Sequence, residues 1–374
     1  MHTPTIDFGN VVAARTGISF IDGKAGRLLL RGHDVQAMGK QLRFETVAHL
    51  LMHGVFPNEQ ETSAFGRTLA VSRGLSVMAE SILRCMPSTA RPIDVLKCVL
   101  AAEGAVCATS RCDASILLDC IACGPTIVAA FHRLRHGLMP VAPDTELAHA
   151  DNFLYMVCGE RADAESVHAF NTYMAIMTEH ALNASTLTAR VIASTGAGCH
   201  QALVGAISAL EGPLHGGAVA KVLEQIGEAG QNSGAGEWAR TRITQGARLM
   251  GFGHPIYESL DPRSEILRAV TRRVAPDVYA EAAKAEDGFK RALTALRPYR
   301  TIPTNVEYYS AVLLKAIGLP SDLFITAFAC ARMVGWGAHF VEQRQQQALG
   351  MVGVMHPMSE YVGNASSGTV HDCS

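Results

Sequence analysis

The chain has 374 residues, of which 48% are hydrophobic and 18% charged, and its formal net charge is −2. A chain of this length and composition can bury a large core and is more typical of two domains than of one. It contains no basic run of the kind that captures nucleic acid, so the sequence predicts no nucleic-acid partner.

Neither a targeting segment nor a membrane span is predicted. Residues Met1 to Asp7 hold no positively charged leader and no apolar stretch, unlike a secretory signal peptide. The most apolar stretch, Ile116 to Phe131, is interrupted by Asp119 and by Gly124-Pro125. We expect it to be too short and too broken to cross a bilayer. The sequence therefore predicts a soluble cytoplasmic protein with no membrane partner.

Ten cysteines are scattered along the chain. Cys120 and Cys123 form the only C-x-x-C pair, and no second pair follows at zinc-site spacing. Because free cysteine usually lies in the core, we predict buried, reduced thiols and no metal site.

The first predicted element is a small β-hairpin near the N-terminus. Gly17 to Gly23 and Gly26 to Leu30 are short apolar stretches with a glycine-containing turn between them. Sustained alternation of the strand type is scarce elsewhere, so the predicted fold class is all-α.

Helical periodicity dominates the rest of the chain. Glu45 to Met52 is amphipathic and ends at His53-Gly54, and Pro92 to Leu100 opens with proline at a plausible first helical position. His168 to Ala193 is an alanine-rich run that predicts one long helix, and Leu203 to Leu210 predicts another.

A change in composition predicts the domain organisation. Glu228 to Gly236 is a polar, glycine-containing segment, which is typical of a flexible interruption. Lys221 to Asp322 is richer in charge than Cys98 to Leu210. We therefore predict a large domain over residues 1–220, continued by 323–374, and a small domain over 221–322. A boundary beside His215 would place the chemistry in an interdomain cleft, a common site position.

Two glycine-flanked histidines are the strongest chemical signal: His215 in Gly-Pro-Leu-His-Gly-Gly-Ala and His254 in Gly-Phe-Gly-His-Pro. Imidazole is the side chain whose ordinary pKa lies nearest neutrality, and flanking glycines permit close approach of main chain or ligand. Glu307 follows in the polar and aromatic segment Asn305–Ser310. A carboxylate that removes a carbon-bound proton, with two histidines that stabilise charge on oxygen, would suffice to enolise one carbonyl compound and condense it with another.

Taken together, these motifs resemble the citrate synthase family, and the resemblance covers almost the whole chain. Any one short match is weak, whereas many matches in the family's order are highly specific. The further matching segments are Thr16–Gly23, Leu30–Val35, Arg91–Leu96, Pro125–Ala130, Asn152–Met156, Glu179–Thr186, Asp261–Arg263 and Arg332–His339. The resemblance implies a large and a small helical domain, a homodimer, and an acyltransferase that uses a coenzyme A thioester as substrate and needs no other cofactor.

The resemblance also implies catalytic roles. His215 matches the histidine that stabilises the enol of the acyl-CoA thioester. A helical pattern begins at Ala218, and the helix dipole favours a neutral ring there. His254 matches the histidine that hydrogen-bonds the acceptor's keto oxygen and helps to protonate it. Glu307 occupies the place of the catalytic base.

Three more residues match groups that bind oxaloacetate: His180, Arg263 and Arg332. Arginine suits this task because its planar fork can meet a carboxylate with two hydrogen bonds. His339 is interpreted as structural. We interpret Trp336 and the methionines Met351, Met355 and Met358 as core or dimer contacts.

Three departures from the family's pattern bear on substrate choice. The family's base is aspartate, and the extra methylene of Glu307 moves the carboxylate by about 1.5 Å unless the backbone compensates. A misplacement of about 1 Å can cost around a hundredfold in rate. Pro255 to Glu258 stand where bacterial relatives carry Arg-Val-Tyr-Lys, so two positive charges for CoA phosphates are absent. His356-Pro357 replaces a late Arg-Pro whose arginine reaches the neighbouring subunit's acceptor carboxylate. The resemblance makes His356 the fourth predicted substrate-binding residue, although histidine cannot form the bidentate fork.

Three functions therefore stay open. The first is condensation of acetyl-CoA, or a related acyl-CoA, with oxaloacetate or a related 2-oxo acid, followed by hydrolysis of the thioester. The second is the same chemistry with propionyl-CoA, as in a 2-methylcitrate synthase. The third is a catalytically impaired homologue that binds metabolites as a regulatory dimer.

Overall fold

The computed structural model describes residues 11–107, 111–217, 219–231, 234–359, 361 and 363. Over these residues the chain forms fifteen α-helices and one small antiparallel sheet, which confirms the all-α prediction. The helices α1 to α15 are, in chain order, Phe44–His53, Glu59–Val71, Val77–Cys85, Pro92–Val106, Asp113–Arg135, His149–Cys158, Ala164–Met177, Ala184–Ser194, Cys199–Leu210, Val219–Gln231, Ala235–Thr244, Pro262–Val274, Pro276–Leu296, Val306–Ala316 and Phe324–Ala348.

The predicted hairpin is confirmed and has one strand more than expected. Strands β1 (Ser19–Asp22) and β2 (Arg27–Leu30) pair antiparallel, and β2 also pairs with β3 (His33–Asp34). Arg31 and Gly32 make the second turn with φ of +48° and +85°. Because this turn consists of only two residues, the sequence pattern was too short to predict a second hairpin there.

Local sequence signals fix several helix ends where they were predicted. Gly54 ends α1 in the left-handed conformation, with φ of +77°, and its N–H donates to Leu50 O. Pro92 is the first residue of α4, where its missing N–H costs no helical hydrogen bond. The predicted Leu203–Leu210 helix lies within α9.

The continuous helix predicted over His168–Ala193 is wrong, because the structure has α7, a non-helical break and α8 there. Two contacts stabilise the break. Asn183 caps α8 by accepting the Thr186 N–H at 3.1 Å. The Thr178 carbonyl accepts the N–H of Gly335 on α15, also at 3.1 Å. High alanine content predicts helix on both sides but carries no signal for this tertiary contact.

The apolar stretch Ile116 to Phe131 was expected to be too short and too interrupted to cross a bilayer, but it belongs to α5, one helix of 23 residues with Pro125 inside it. Two helical stretches, Asp113–Arg135 and Ser321–Ala348, are long and apolar enough to cross a membrane. Their most apolar windows are 72% and 89% buried inside the fold. They are therefore packed as core helices, as in soluble proteins.

The polar interruption predicted over Glu228–Gly236 is shorter than expected. Helix α10 continues to Gln231 and α11 starts at Ala235, so Glu228 to Gln231 are helical; residues 232 and 233 lie outside the described part. Helices α10 to α14 pack against one another, and α15 packs against α5, α8 and α9. The domain limits remain a prediction.

The cysteines are less buried than predicted. The nine cysteines in the described ranges are all free thiols, and three of them, Cys120, Cys199 and Cys330, are buried. Four others lie exposed on the molecule's surface, namely Cys85, Cys98, Cys112 and Cys158. Cys112 caps the start of α5 and the other three lie on helices, and the sequence pattern did not separate the buried and exposed faces of those helices. Cys373 lies outside the described residues.

Candidate active site

The structure brings six of the seven predicted site residues into one cluster. The buried imidazole of His180 lies near four of the others: its pKa is lowered by the charges of Arg263 and Arg332 and by the imidazoles of His254 and His215. The same two arginines also lie near the carboxylate of Glu307, since their charges lower its pKa. These side chains come from the α7–α8 break, the loops before α10 and α12, and the helices α12, α14 and α15.

His180 lies in the break between α7 and α8, and not on a long helix as the sequence suggested. It is 7% exposed, and its Nε2 is 3.1 Å from the Tyr257 hydroxyl. Its ring meets that of His254 edge to face, with centroids 5.2 Å apart. Burial, followed by the positive charge of Arg263, holds the pKa of His180 well below its usual value, so the ring is neutral at pH 7.

The hydrogen bonds of His254 fix which nitrogen carries its proton. Its Nδ1 accepts the backbone N–H of Ile256 at 3.0 Å and that of Tyr257 at 3.1 Å. Burial and then Arg263 lower the pKa of this histidine to about 4. A neutral ring whose Nδ1 accepts must carry its hydrogen on Nε2. His254 is therefore a neutral donor through Nε2, as hydrogen bonding to a keto oxygen requires.

His215 contacts a small polar network that the sequence did not reveal. Its Nε2 is 2.9 Å from Ser185 Oγ, which also lies 2.7 Å from Asn183 Oδ1 and accepts the Trp336 indole N–H at 3.1 Å. Burial and then Arg332 lower the pKa of His215 to about 4. Because Ser185 donates its single proton to Asn183 Oδ1, the neutral ring carries its hydrogen on Nε2 and donates it to Ser185. A turn of the Ser185 hydroxyl towards Nε2 would leave the ring hydrogen on Nδ1 instead.

Arg263 is buried and its charge is neutralised within the chain. Its Nε and Nη2 donate to the two carboxylate oxygens of Asp261 at 3.0 and 2.7 Å. Asp261 also accepts the Val306 N–H at 3.1 Å. Although burial opposes it, the pairing with Asp261 raises the pKa of Arg263. Asp261 thus joins the arginine of α12 to the first turn of α14, which carries Glu307.

Arg332 is held on α15 with one part of its fork unused. Its Nε donates to the Met177 carbonyl at 2.5 Å, its guanidinium lies over the Phe328 ring at 4.7 Å, and its Nη2 is buried with no hydrogen-bond partner among the described residues. Burial lowers its pKa to about 10, against the attraction of Glu179. The arginine is therefore still charged at pH 7 and has a donor directed at no protein atom.

Glu307 is the second residue of α14 and is half-buried. Burial raises the pKa of its carboxyl, whereas Arg263 and its own backbone N–H act in the opposite direction. The N-terminus of a helix favours the ionised carboxylate. A carboxylate with a raised pKa is the stronger base once it is ionised.

His356 is not part of this cluster. It is exposed on the extended segment after α15, and within the described ranges no hydrogen bond or ion pair links it to the other six predicted residues. A function in the same subunit's site is not supported by this position. A function in a second subunit's site stays a prediction.

The glycines of the histidine motifs serve close packing of main chain. A Cβ on Gly217 would approach Glu211 O to 2.9 Å, and one on Gly216 would approach Leu210 O to the same distance. Gly251 and Gly253 both have φ of +83°, which other residues rarely adopt. The glycines therefore shape the loops that hold His215 and His254.

Sequence reasoning missed Ser185, Tyr257 and Asp261 as partners of the predicted residues. Ser185 and Asp261 each lie inside a segment that matches the family. The sequence therefore identified their positions but not the side chains that they contact. Trp336, interpreted as a core or dimer contact, is fully buried and also donates to Ser185. Spacing along the chain gives no sign of such contacts between distant segments.

The substituted loop after His254 lies at the surface. Pro255, Ile256 and Glu258 are exposed, and the Glu258 N–H donates to the Gly23 carbonyl beside the small sheet at 3.0 Å. The loop therefore presents an apolar and a negative side chain at the surface, where bacterial relatives carry two positive ones. Over the ranges that the structure describes, no group of three or more His, Cys, Asp or Glu side chains is arranged to hold a metal ion.

Comparisons with known proteins agree with this fold. The family model "Citrate synthase, C-terminal domain" matches residues 7–353. Citrate synthase from Synechocystis is 32% identical, with 95% of this chain and 89% of that protein covered. 2-Methylcitrate synthase from Mycobacterium tuberculosis is 33% identical, with coverage of 97% and 94%.

Solved structures give the same result. Citrate synthase from Thermoplasma acidophilum, in a ternary complex with carboxymethyl coenzyme A and oxaloacetate, matches with a TM-score of 0.88, 28% identity and coverage of 98% and 99%. Citrate synthase from Thermotoga maritima matches with a TM-score of 0.85 and 32% identity, and 96% of each chain is covered. The family model and these relatives span nearly the whole chain, and the chain therefore belongs to the citrate synthase family.

Proposed function

We propose that this enzyme condenses an acyl-CoA thioester with oxaloacetate or a related 2-oxo acid, and then hydrolyses the resulting thioester. The observation that carries the proposal is the cluster of two neutral histidines, one half-buried carboxylate and two buried arginines around His180. The two histidines are neutral, as hydrogen bonding to a developing oxygen charge requires, and the carboxyl of Glu307 is the group that can act as a base.

The reaction begins at the acyl carbon next to the thioester carbonyl. Glu307 removes a proton from that carbon, and its raised pKa makes it a better acceptor for a weakly acidic C–H than an ordinary carboxylate. His215 donates from Nδ1 to the thioester oxygen once the Ser185 hydroxyl turns from Asn183 to His215 Nε2, 2.9 Å away. A neutral imidazole stabilises enol character without competing for the proton. Ser185 holds the other ring nitrogen.

The enol carbon then attacks the keto carbon of the acceptor. His254 donates from Nε2 to the keto oxygen as it becomes an alkoxide. Arg332 and Arg263 bind the acceptor's carboxylates, and since Arg263 is already paired with Asp261, the unused Nη2 of Arg332 is the stronger candidate for direct contact. Water finally attacks the thioester and releases the CoA thiol.

Acetyl-CoA is the favoured donor over propionyl-CoA. The relatives include both citrate and 2-methylcitrate synthases at similar identity, and the two solved structures compared above are citrate synthases. The exposed Glu258 predicts weak attraction for the phosphates of CoA.

We also propose a homodimer in a reducing cytoplasm. Exposed apolar side chains on the segment after α15, among them Met351, Val354 and Met358, are more exposed than a core contact would be and are suited to cover a second subunit. Nine free thiols in the described part of the chain are typical of a reducing compartment.

A thiol-release assay across acyl-CoAs and 2-oxo acids tests the proposal. We expect oxaloacetate-dependent release of CoA, with acetyl-CoA giving a higher kcat/KM than propionyl-CoA. A preference for propionyl-CoA would favour 2-methylcitrate synthesis. Binding of oxaloacetate with no thiol release from any donor would support the regulatory homologue and overturn the proposal.

A further inference from the structure

Tyr173, on α7, is a buried side chain whose polar end is unused. The residue is 0% exposed, and its hydroxyl oxygen has no hydrogen-bond partner among the described residues. Most buried hydroxyls in proteins are paired, so an unpaired one calls for a reason.

The helix geometry places Tyr173 beside Arg332. Tyr173 and Met177 are four residues apart and share a face of α7. The Met177 carbonyl accepts the Arg332 Nε–H at 2.5 Å, so Tyr173 lies one turn before the atom that holds the guanidinium. Arg332 Nη2 is the second unpaired buried donor in this place.

Electrostatics give the same location. Burial raises the pKa of the phenol, the charge of Arg332 lowers it and that of Glu307 raises it. The net pKa is raised, so the hydroxyl keeps its proton. Its ring is stacked on Phe170, with centroids 6.0 Å apart, which limits its movement. The phenol is therefore a neutral O–H donor near enough to Arg332 and Glu307 for the charges of both to affect its pKa.

We propose that Tyr173 is a further acceptor-binding residue, and that its hydroxyl and Arg332 Nη2 donate together to one carboxylate of the 2-oxo acid. A carboxylate has enough lone pairs to accept from both. One ligand group would then satisfy two unpaired buried donors. The inference rests on the function proposed above and names a determinant of acceptor affinity at that site.

This position has a consequence for specificity. The family's late arginine is replaced by His356, which is exposed and away from the cluster. A neutral phenol donor adds affinity for a carboxylate without adding charge. Tyr173 is therefore expected to act on the 2-oxo acid and not on the acyl-CoA.

The test is Tyr173→Phe, which removes the hydroxyl and keeps the stacked ring. Oxaloacetate binding is measured by calorimetry, and KM for oxaloacetate and for acetyl-CoA by thiol release. We expect Kd and KM for oxaloacetate to rise about tenfold, with KM for acetyl-CoA unchanged. The melting temperature without ligand should not fall, because no hydrogen bond within the protein is lost.

Tyr308→Phe is the matched control. Its hydroxyl is also buried but donates to the Ala282 carbonyl at 2.7 Å, so this variant should lower the melting temperature and keep the affinity for oxaloacetate. Equal oxaloacetate affinity of wild type and Tyr173→Phe would overturn the inference and leave the proposed function standing. Failure of the wild type to bind oxaloacetate would overturn both.

Discussion

At the residue scale, the site combines neutral histidines with a carboxylate that is harder to ionise than usual. Burial lowers the pKa of His215 and His254 to about 4 and raises that of Glu307. The two effects have one cause, since a desolvated site disfavours the charged form of each group. At neutral pH the two histidines are therefore neutral, and Glu307 is the group of the three whose ionised form carries negative charge.

These pKa shifts predict the acid limb of the pH profile. Glu307 must be ionised to act as a base, so kcat/KM should fall as pH decreases through a pKa above the ordinary 4.5 of glutamate. The histidines become charged only near pH 4 and cannot set this limb. The measurement is kcat/KM for thiol release from pH 4 to 8 in wild type and Glu307→Asp. The limb should move in the variant, and a limb that is identical in both proteins would assign it to another group.

How far the sequence could predict the site follows from these residues. His215, His254, Arg263, Arg332 and Glu307 were predicted because each lies in a segment matching the family. Ser185 and Tyr173 were not, because their relevance comes from contacts between helices that are far apart in the sequence. His180 was found but placed on the wrong element.

At the scale of secondary structure, the break between α7 and α8 is the element on which the site depends. It carries His180, and it also carries Glu179, whose carboxylate accepts from Ser19 Oγ at 2.8 Å and lies 3.3 Å from His339 Nε2. Arg190 donates to the other nitrogen of that ring, so Nε2 bears the hydrogen toward Glu179. His339 thus has the structural role that the sequence suggested, through a partner that only the fold shows.

The break requires a glycine on the facing helix, which gives a prediction. A Cβ on Gly335 would overlap the Thr178 carbonyl oxygen and Glu179 Oε2. Gly335→Ala should therefore destabilise the fold by about 2–3 kcal/mol or more and impair oxaloacetate binding. Urea unfolding and calorimetry measure the two effects.

Gly227→Ala is the control for that substitution. Gly227 lies within α10 and has open space around its Cβ position, so alanine should stabilise the protein by up to about 1 kcal/mol. Wild-type stability and oxaloacetate affinity in Gly335→Ala would contradict the account of the break.

At the scale of the whole molecule, helices α10 to α14 pack against one another, and they meet the rest of the fold at the candidate active site. Asp261 links α12 to α14, and Glu286 on α13 accepts from Tyr309 at 2.6 Å. The fold class was predictable from helical periodicity alone. The surface that contacts the exposed segment after α15 was not predictable, because an apolar sequence pattern does not identify its binding partner.

Mixing two defective variants tests whether His356 acts in a second subunit. If it does, one site of a Glu307→Ala and His356→Ala heterodimer has both residues intact. Equimolar mixing with subunit exchange should then restore about a quarter of wild-type activity, since half of the dimers are mixed and half of their sites are complete. The thiol-release assay before and after exchange, with the oligomeric mass measured by light scattering, gives the result. A monomeric mass would contradict the dimer proposal, and a dimeric mass with no recovery would contradict the action of His356 in a second subunit.

The central claim is that Glu307 removes the proton that starts condensation, and the most direct measurement is oxaloacetate-dependent thiol release by wild type and Glu307→Gln. Glutamine keeps the size of the side chain and removes the base. The account predicts that kcat falls by about a hundredfold or more, while the affinity for oxaloacetate is kept. A Glu307→Gln enzyme that releases CoA at the wild-type rate would contradict it.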